Sequence, residues 1–363
     1  MKQFTRTRSG RLLALGALTA TSLMVITGCA SGSSGGGSGG GGSSTGTGGS
    51  EAADYVIGVS NTLAGNGWRE EMICSVKAEA LASGKVSKVI AISKNGGPTE
   101  QIQDLQSLIS QGVNAIILNP ADREKLNPII AEAEKKGIVV VAVDSPVTDP
   151  DAYIAVNDQK EWGRMNAEWL FTAMGGKGKF LYMRGIEGVP ADTDRDAGVQ
   201  EALKDFPDIT YKEVWTGWDY TKGGEIAVQE FSAGKYQGVW TSGTDYTVVN
   251  AFETAGVDPV PVTGQETNAF LGQLIDGAPG AYITNPAIIG GVGANIAIRA
   301  LAGETVDKQT ILTPRVIDAK TGMDEMKASY DPDQDALYNA TFQIEGQTTF
   351  TPEQLKSCKG PGE

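Results

Sequence analysis

Asp144 follows the β-branched apolar run Ile138 to Val143 without a gap. It therefore stands just past the carboxyl end of a buried strand, where open α/β sheets take their ligands. A carboxylate there can accept charge-assisted hydrogen bonds worth ~1.5–3 kcal/mol each. The plainer alternative is a turn cap ahead of Pro146. The chain contains no histidine, which removes Ser-His-Asp and Cys-His nucleophilic catalysis and any histidine-ligated zinc site. Asp144 and Glu266 can still be considered as a carboxylate pair for glycoside hydrolysis, the enzymatic alternative to a binding role. The absence of histidine is the main argument for expecting a binding protein rather than an enzyme. Gly291-Val292-Gly293 lacks the third glycine and following acid of a dinucleotide loop, and Asp331 to Asp335 lacks the central glycine and terminal glutamate of a calcium loop. The first reads as helix packing and the second as a solvated turn. No cofactor and no metal are expected.

Asp144 belongs to a β-α-β unit spanning Val113 to Pro146. Ala115 to Leu118 forms its first strand. Asn127 is expected to cap a helix with Pro128 at its first position and Ile129, Ile130 and Ala133 facing inward, which Gly137 ends. From Tyr55 onward the same alternation repeats. Further strands are expected at Tyr55–Ser60, Val86–Ile92, Tyr153–Val156, Phe180–Met183, Tyr211–Trp215, Val239–Thr241, Val260–Thr263 and Tyr282–Thr284. Helical stretches separate them, so the fold class is α/β, with parallel sheets covered on both faces. About ten strands divide naturally into two doubly wound lobes.

Upstream, Lys2, Arg6, Arg8 and Arg11 precede an apolar segment from Leu12 to Ile26 that is too short to span a bilayer comfortably. It reads as an export signal, residues 1–28. Its end, Ile26-Thr27-Gly28-Cys29, resembles the lipobox of bacterial lipoproteins, which implies lipidation of Cys29 and a membrane tether. Residues 29–51 then form a Gly/Ser-rich linker with a reach of roughly 25 Å. The formal charge of 14 negative becomes 18 negative once the leader's four cations are removed, which disfavours nucleic acid as a partner. Two cysteines remain, Cys74 and Cys358, and in an exported protein they are expected to pair. That bond would tie the tail to the first helix.

Several segments together resemble the sugar-binding proteins of bacterial ABC importers, of the ribose-, xylose- and galactose-binding type, over Tyr55 to about Ile317. They are Ile57-Gly58-Val59-Ser60, Ala115 to Pro120, Val143-Asp144-Ser145, Arg195-Asp196-Ala197-Gly198, Gly217 to Gly223, Val262 to Glu266, and Ile283-Thr284-Asn285-Pro286. The resemblance implies two lobes joined by a three-strand hinge, with a ligand cleft between them. The N-terminal lobe is expected from 52–157 and 285–313, the C-terminal lobe from 158–284 and 314–320, and residues 321–363 form an extension with no assigned role.

Carried over by position, the ligand set is Asn66, Trp68, Arg69, Asp144, Arg195, Asp245, Glu266 and Asn285. Trp68 would stack on a sugar ring, Arg195 would bridge ring oxygen and hydroxyl, and Arg69 falls where the family often has an aromatic. Glu266 stands in for an aspartate, Asn285 keeps the family's amide, and helix capping is the competing role for Asp245. Trp218 reads as structural. The implied function is a tethered, extracytoplasmic, monomeric receptor that captures a pentose or hexose and delivers it to an ABC permease. A sensory module for a sugar-like signal is the second reading.

Overall fold

The computed structural model describes residues 54–363; the leader, Cys29 and the linker lie outside the described residues. Strand and helix alternate where the apolar runs predict them. The chain runs β1 (Tyr55–Asn61), α1 (Gly67–Ser83), β2 (Val86–Ser93), α2 (Pro98–Ser110), β3 (Ala115–Leu118), α3 (Asn127–Lys135), β4 (Val139–Val143), β5 (Tyr153–Asn157) and α4 (Gln159–Ala173). It continues through β6 (Lys177–Arg184), α5 (Pro190–Ala202), β7 (Asp208–Trp215), α6 (Tyr220–Ala233), β8 (Gly238–Thr241), α7 (Asp245–Ala255), β9 (Val262–Gly264), α8 (Asn268–Ile275), β10 (Gly280–Ile283) and α9 (Ile289–Leu301). Short elements follow: β11 (Gln309–Leu312), β12 (Val316–Asp318), α10 (Met323–Ser329) and α11 (Pro352–Ser357).

Two six-stranded sheets result, ordered β11-β5-β4-β3-β1-β2 and β12-β10-β9-β8-β6-β7. The first is wholly parallel. In the second, β12 alone runs antiparallel, against β10. Successive residues of a strand point to opposite faces, so a sheet covered on both sides needs apolar residues at every position. Ile117, Val141 and Val143 pack with α1 and α9 on one face of the first sheet. Ile116, Leu118, Val140 and Ala142 pack with α2 and α3 on the other. The second sheet does the same, with Leu181, Val239 and Val262 on one face and Phe180, Tyr182 and Trp240 on the other.

One local expectation changes. Asn127 does not cap α3; the cap position is Leu126, without a side-chain bond, and Asn127 Nδ2 donates to Thr148 Oγ1 at 2.7 Å. Pro128 still occupies the first turn, and Gly137, at φ +80°, lies just beyond the end.

The segment after Asp318 crosses between the sheets. Asn268, at the start of α8, donates from Nδ2 to the Asp331 carbonyl at 2.7 Å and accepts from Asp331 N at 3.1 Å. Further on, Asn339 N donates to Glu71 Oε2 on α1 at 2.6 Å, and Thr349 N and Oγ1 bond the Glu79 carboxylate. Asp331 to Asp335 is a turn whose first carboxylate pairs with Lys356 at 2.7 Å. Phe350 and Leu355 are buried against Ala78 and Ile288, and Cys358 is disulfide-bonded to Cys74 with the Cα atoms 4.5 Å apart.

That bond links residues 284 positions apart, so it restricts the unfolded chain strongly. Cys358→Ser should lower stability by ~2–4 kcal/mol. The parent's Tm should fall when reductant is added while the variant's does not. An unchanged parent Tm under full reduction would show that the bond contributes nothing.

Candidate functional site

The carboxyl ends of the two sheets face each other across a cleft lined by Asn66, Trp68, Arg69, Asp144, Arg195 and Asn285, joined by Trp218, Ser242 and Gln265. About 350 Å³ of atom-free space lies between these walls, open solvent at the mouth included.

Asp144 reaches the cleft through its backbone. Its N–H still pairs with the Ala155 carbonyl at 3.0 Å, but φ is +67°, a left-handed conformation that aspartate tolerates better than most residues. The carboxylate is buried, with Oδ1 accepting from Gln159 Nε2 at 2.6 Å and Oδ2 from Asn119 Nδ2 at 3.2 Å. Gln159 turns its other face to Arg195, accepting from Nε at 2.7 Å. Arg195 Nη1 also donates to Ser242 Oγ at 2.9 Å, and its guanidinium lies 4.2 Å from the centre of the Trp162 ring. Burial lowers the Arg195 pKa to about 10, against the raising field of Asp144, so the group stays cationic.

The height of Arg195 depends on a close helix crossing. A Cβ on Gly163 of α4 would sit 2.1 Å from the Arg195 carbonyl oxygen, and one on Gly198 of α5 would sit 2.0 Å from the Lys160 carbonyl oxygen.

Asn66 caps α1, accepting from Arg69 N at 3.1 Å, and donates across the cleft to the Trp218 carbonyl at 3.1 Å. Trp68 Nε1 donates to the Asn285 carbonyl at 2.7 Å, which fixes the indole in the wall. The Asn285 amide is flanked by Gln159 and Gln265, each 3.1 Å away.

Two expected contacts do not reach the cleft. Asp245 is fully buried and its carboxylate accepts from Gln265 N at 3.0 Å, Thr267 Oγ1 at 2.7 Å and Tyr246 N at 2.9 Å. It secures the loop that presents Gln265, passing over bare Gly264, where a Cβ would meet it at 2.3 Å. Glu266 turns inward as well, taking Asn285 N on both oxygens at 3.0 and 2.8 Å. The Asp144 and Glu266 carboxylates therefore do not face a common substrate position.

Trp218, read from the sequence as structural, is in the cleft wall. Its φ of +55° is a strained value for an aromatic residue. Nε1 donates to Ser242 Oγ at 3.0 Å, and the ring lies over Gly185, where a Cβ would be 2.1 Å from it. The sequence signal was Gly217 just before it, marking a turn that departs from ordinary backbone angles. Gln159, Gln265 and Ser242 were also missed. Gln159 follows the end of β5, which meets the same sheet edge as Asp144.

Two facing sheets and a walled polar cleft define a two-lobed small-molecule binder. Residues 57–305 match the family model described as a periplasmic binding protein domain, and the chain belongs to that family. It is similar to the ribose import binding protein RbsB of Bacillus subtilis, 24% identical over 268 residues covering 72% of this chain and 86% of the relative. It is also similar to a xylitol-binding protein of Mycolicibacterium smegmatis, 33% identical over 118 residues, which is 32% of this chain and 34% of that protein. The crystal structure of an ABC transporter solute binding protein from Thermobispora bispora shares the fold, with a TM-score of 0.74 at 24% identity, covering 84% of this chain and 94% of that one. Among the described residues no helix is long and apolar enough to cross a membrane.

Two predictions follow from this geometry. Gly163→Ala should push α4 away from Arg195, costing ~1–3 kcal/mol, and thermal denaturation should show it; a parent-like Tm would mean the crossing is not tight. The second concerns pH. Burial raises Glu266 to about 7 and Asp245 to about 6, and raises Glu71 well above the usual range. Burial and nearby Asp149 raise Glu134 to about 7. These groups bind protons more tightly folded than unfolded, where carboxylates titrate near ~4. Stability should therefore fall as pH rises from about 4.5 to about 7. Tm should be higher at about pH 5 than at about pH 7.5, with a smaller difference in Glu266→Gln. A Tm that is flat or rising across that interval contradicts the assignment.

Proposed function

We propose that this protein is a membrane-tethered, extracytoplasmic solute-binding protein that captures a pentose or hexose between its lobes and delivers it to an ABC permease. The observation that carries this reading is the cleft wall. Asp144 and Arg195 offer an acceptor and a donor for hydroxyl groups, amides surround them, and Trp68 and Trp218 supply apolar faces for a ring. No nucleophile and base are arranged for chemistry in the lining. Glu266, held by the Asn285 backbone, leaves Asp144 without the second carboxylate that glycoside hydrolysis needs.

Membership of the periplasmic binding family supports an extracytoplasmic receptor, and relatives named for ribose and xylitol support a small polyhydroxylated ligand. The lipobox-like end of the leader at Cys29 and the Gly/Ser-rich linker support the tether. A lobe pair that closes on ligand needs no second subunit, so the receptor acts as a monomer.

Thermal denaturation against a panel of pentoses, hexoses, polyols and sugar acids tests the reading. A ligand at a thousand times its Kd should add ~4 kcal/mol, and Asp144→Ala should abolish the shift. If no member of the panel moves the transition, sugar capture is wrong.

A further inference from the structure

This inference rests on the monosaccharide reading and concerns the charge of the ligand. Arg69 and Arg195 both line the cleft, at 6% and 4% exposure, and Asp144 is the only carboxylate in the lining. Arg195 is well held by Gln159, Ser242 and the Trp162 ring. Arg69 is not. Among the described residues its guanidinium makes one hydrogen bond, from Nη1 to Asn61 Oδ1 at 3.3 Å.

The Trp68 and Trp218 rings lie 5.8 and 5.9 Å from its Cζ. Both rings are within cation–π range but carry no counter-charge. The nearest help is the field of Asp144, which partly offsets the lowering of the Arg69 pKa by burial. Both oxygens of that carboxylate already accept bonds, from Gln159 and Asn119. The field of Asp144 acts on both buried cations, while Asp192 and Glu266 add to it at Arg195.

A buried guanidinium without a counter-charge is strongly unfavourable. A neutral hydroxyl supplies an acceptor and leaves the charge; a carboxylate supplies both, in a geometry that matches the guanidinium fork. Arg69 also lines an adjoining cavity between the loops that carry Gly97, Lys125 and Gly188. A group bonded to it occupies the end of the ligand nearest those loops.

We propose that the ligand is an acidic monosaccharide, of the aldonate or uronate class, whose carboxylate pairs with Arg69 while its hydroxyls meet Asp144, Arg195 and the cleft amides. Calorimetric titration of the purified protein with matched neutral and acidic sugars tests this: D-xylose with D-xylonate, D-galactose with D-galacturonate and D-galactonate, D-glucose with D-gluconate and D-glucuronate. At least one acid should bind about tenfold tighter than its neutral parent. Arg69→Met should remove that preference and Arg69→Lys should retain part of it, with both unliganded variants showing cooperative thermal transitions. Neutral sugars binding as tightly as their acids, or Arg69→Met weakening both alike, overturns the charge inference and leaves sugar capture standing. If no member of either set binds, sugar capture falls, and this inference with it.

Discussion

Asp144, at the end of β4, and Arg195, on α5, are buried charges presented by opposite lobes, and Gln159 makes their burial tolerable. A side-chain amide can donate to a carboxylate and accept from a guanidinium at once, and Gln159 does both, at 2.6 and 2.7 Å. Its position follows from the chain crossing. β5 ends at Asn157, Asp158 caps α4 by accepting from Glu161 N at 3.0 Å, and Gln159 is the first residue of that helix. One turn later Trp162 places its ring under Arg195 and donates from Nε1 to the Ile283 carbonyl at 3.0 Å. The helix that leaves the first sheet therefore sets the height of the second sheet's arginine.

Strain is concentrated at the same level of the molecule. Asp144 and Trp218 are two of the three non-glycine residues with positive φ among those described, and each such conformation costs ~1–3 kcal/mol. Both sit where a strand has just ended and the next turn must aim a side chain back into the cleft. Each is held from several sides, Asp144 by Gln159 and Asn119, Trp218 by Asn66, Ser242 and the bare face of Gly185. The strained backbone persists because these neighbours determine it more strongly than local preference does.

The strands were legible because burial on both faces leaves an uninterrupted apolar run, as at Ala115–Leu118, and the ends of such runs locate the cleft. The aim of a polar residue at those ends was not legible. Asp245 and Glu266 follow strands as Asp144 does, yet loop N–H groups at Gln265 and Asn285 capture them, and only the folded loop shows that those donors are free. Gln159 escaped because a lone amide at a helix start has no pattern to distinguish it from surface glutamines. β11 and β12 escaped because edge strands of four and three residues carry too little periodicity. The pairing of Cys74 with Cys358 was legible from export and count alone; the path of the tail between them was not.

That path constrains how the lobes can move. The tail is bonded to the first sheet's α1 through Cys74, Glu79 and Glu71, and to the second sheet's α8 through Asn268. Between these anchors, Ala340 N donates to the Glu266 carbonyl at 2.9 Å and Thr341 Oγ1 to its carboxylate at 3.3 Å. Glu266 in turn holds Asn285, where the chain crosses from the second sheet toward α9. The middle of the tail thus lies beside one of the crossings rather than at the outer edges of the lobes. Contacts close to a hinge axis shift little when the lobes swing, whereas sliding one lobe past the other would have to break the bonds to Glu71, Glu266 and Asn268 together. A rotation about the crossing strands would therefore strain the tail less than shear, and the contact it would move is the one between Asp144 of the first sheet and Gln159, which begins the α4 helix packed on the second.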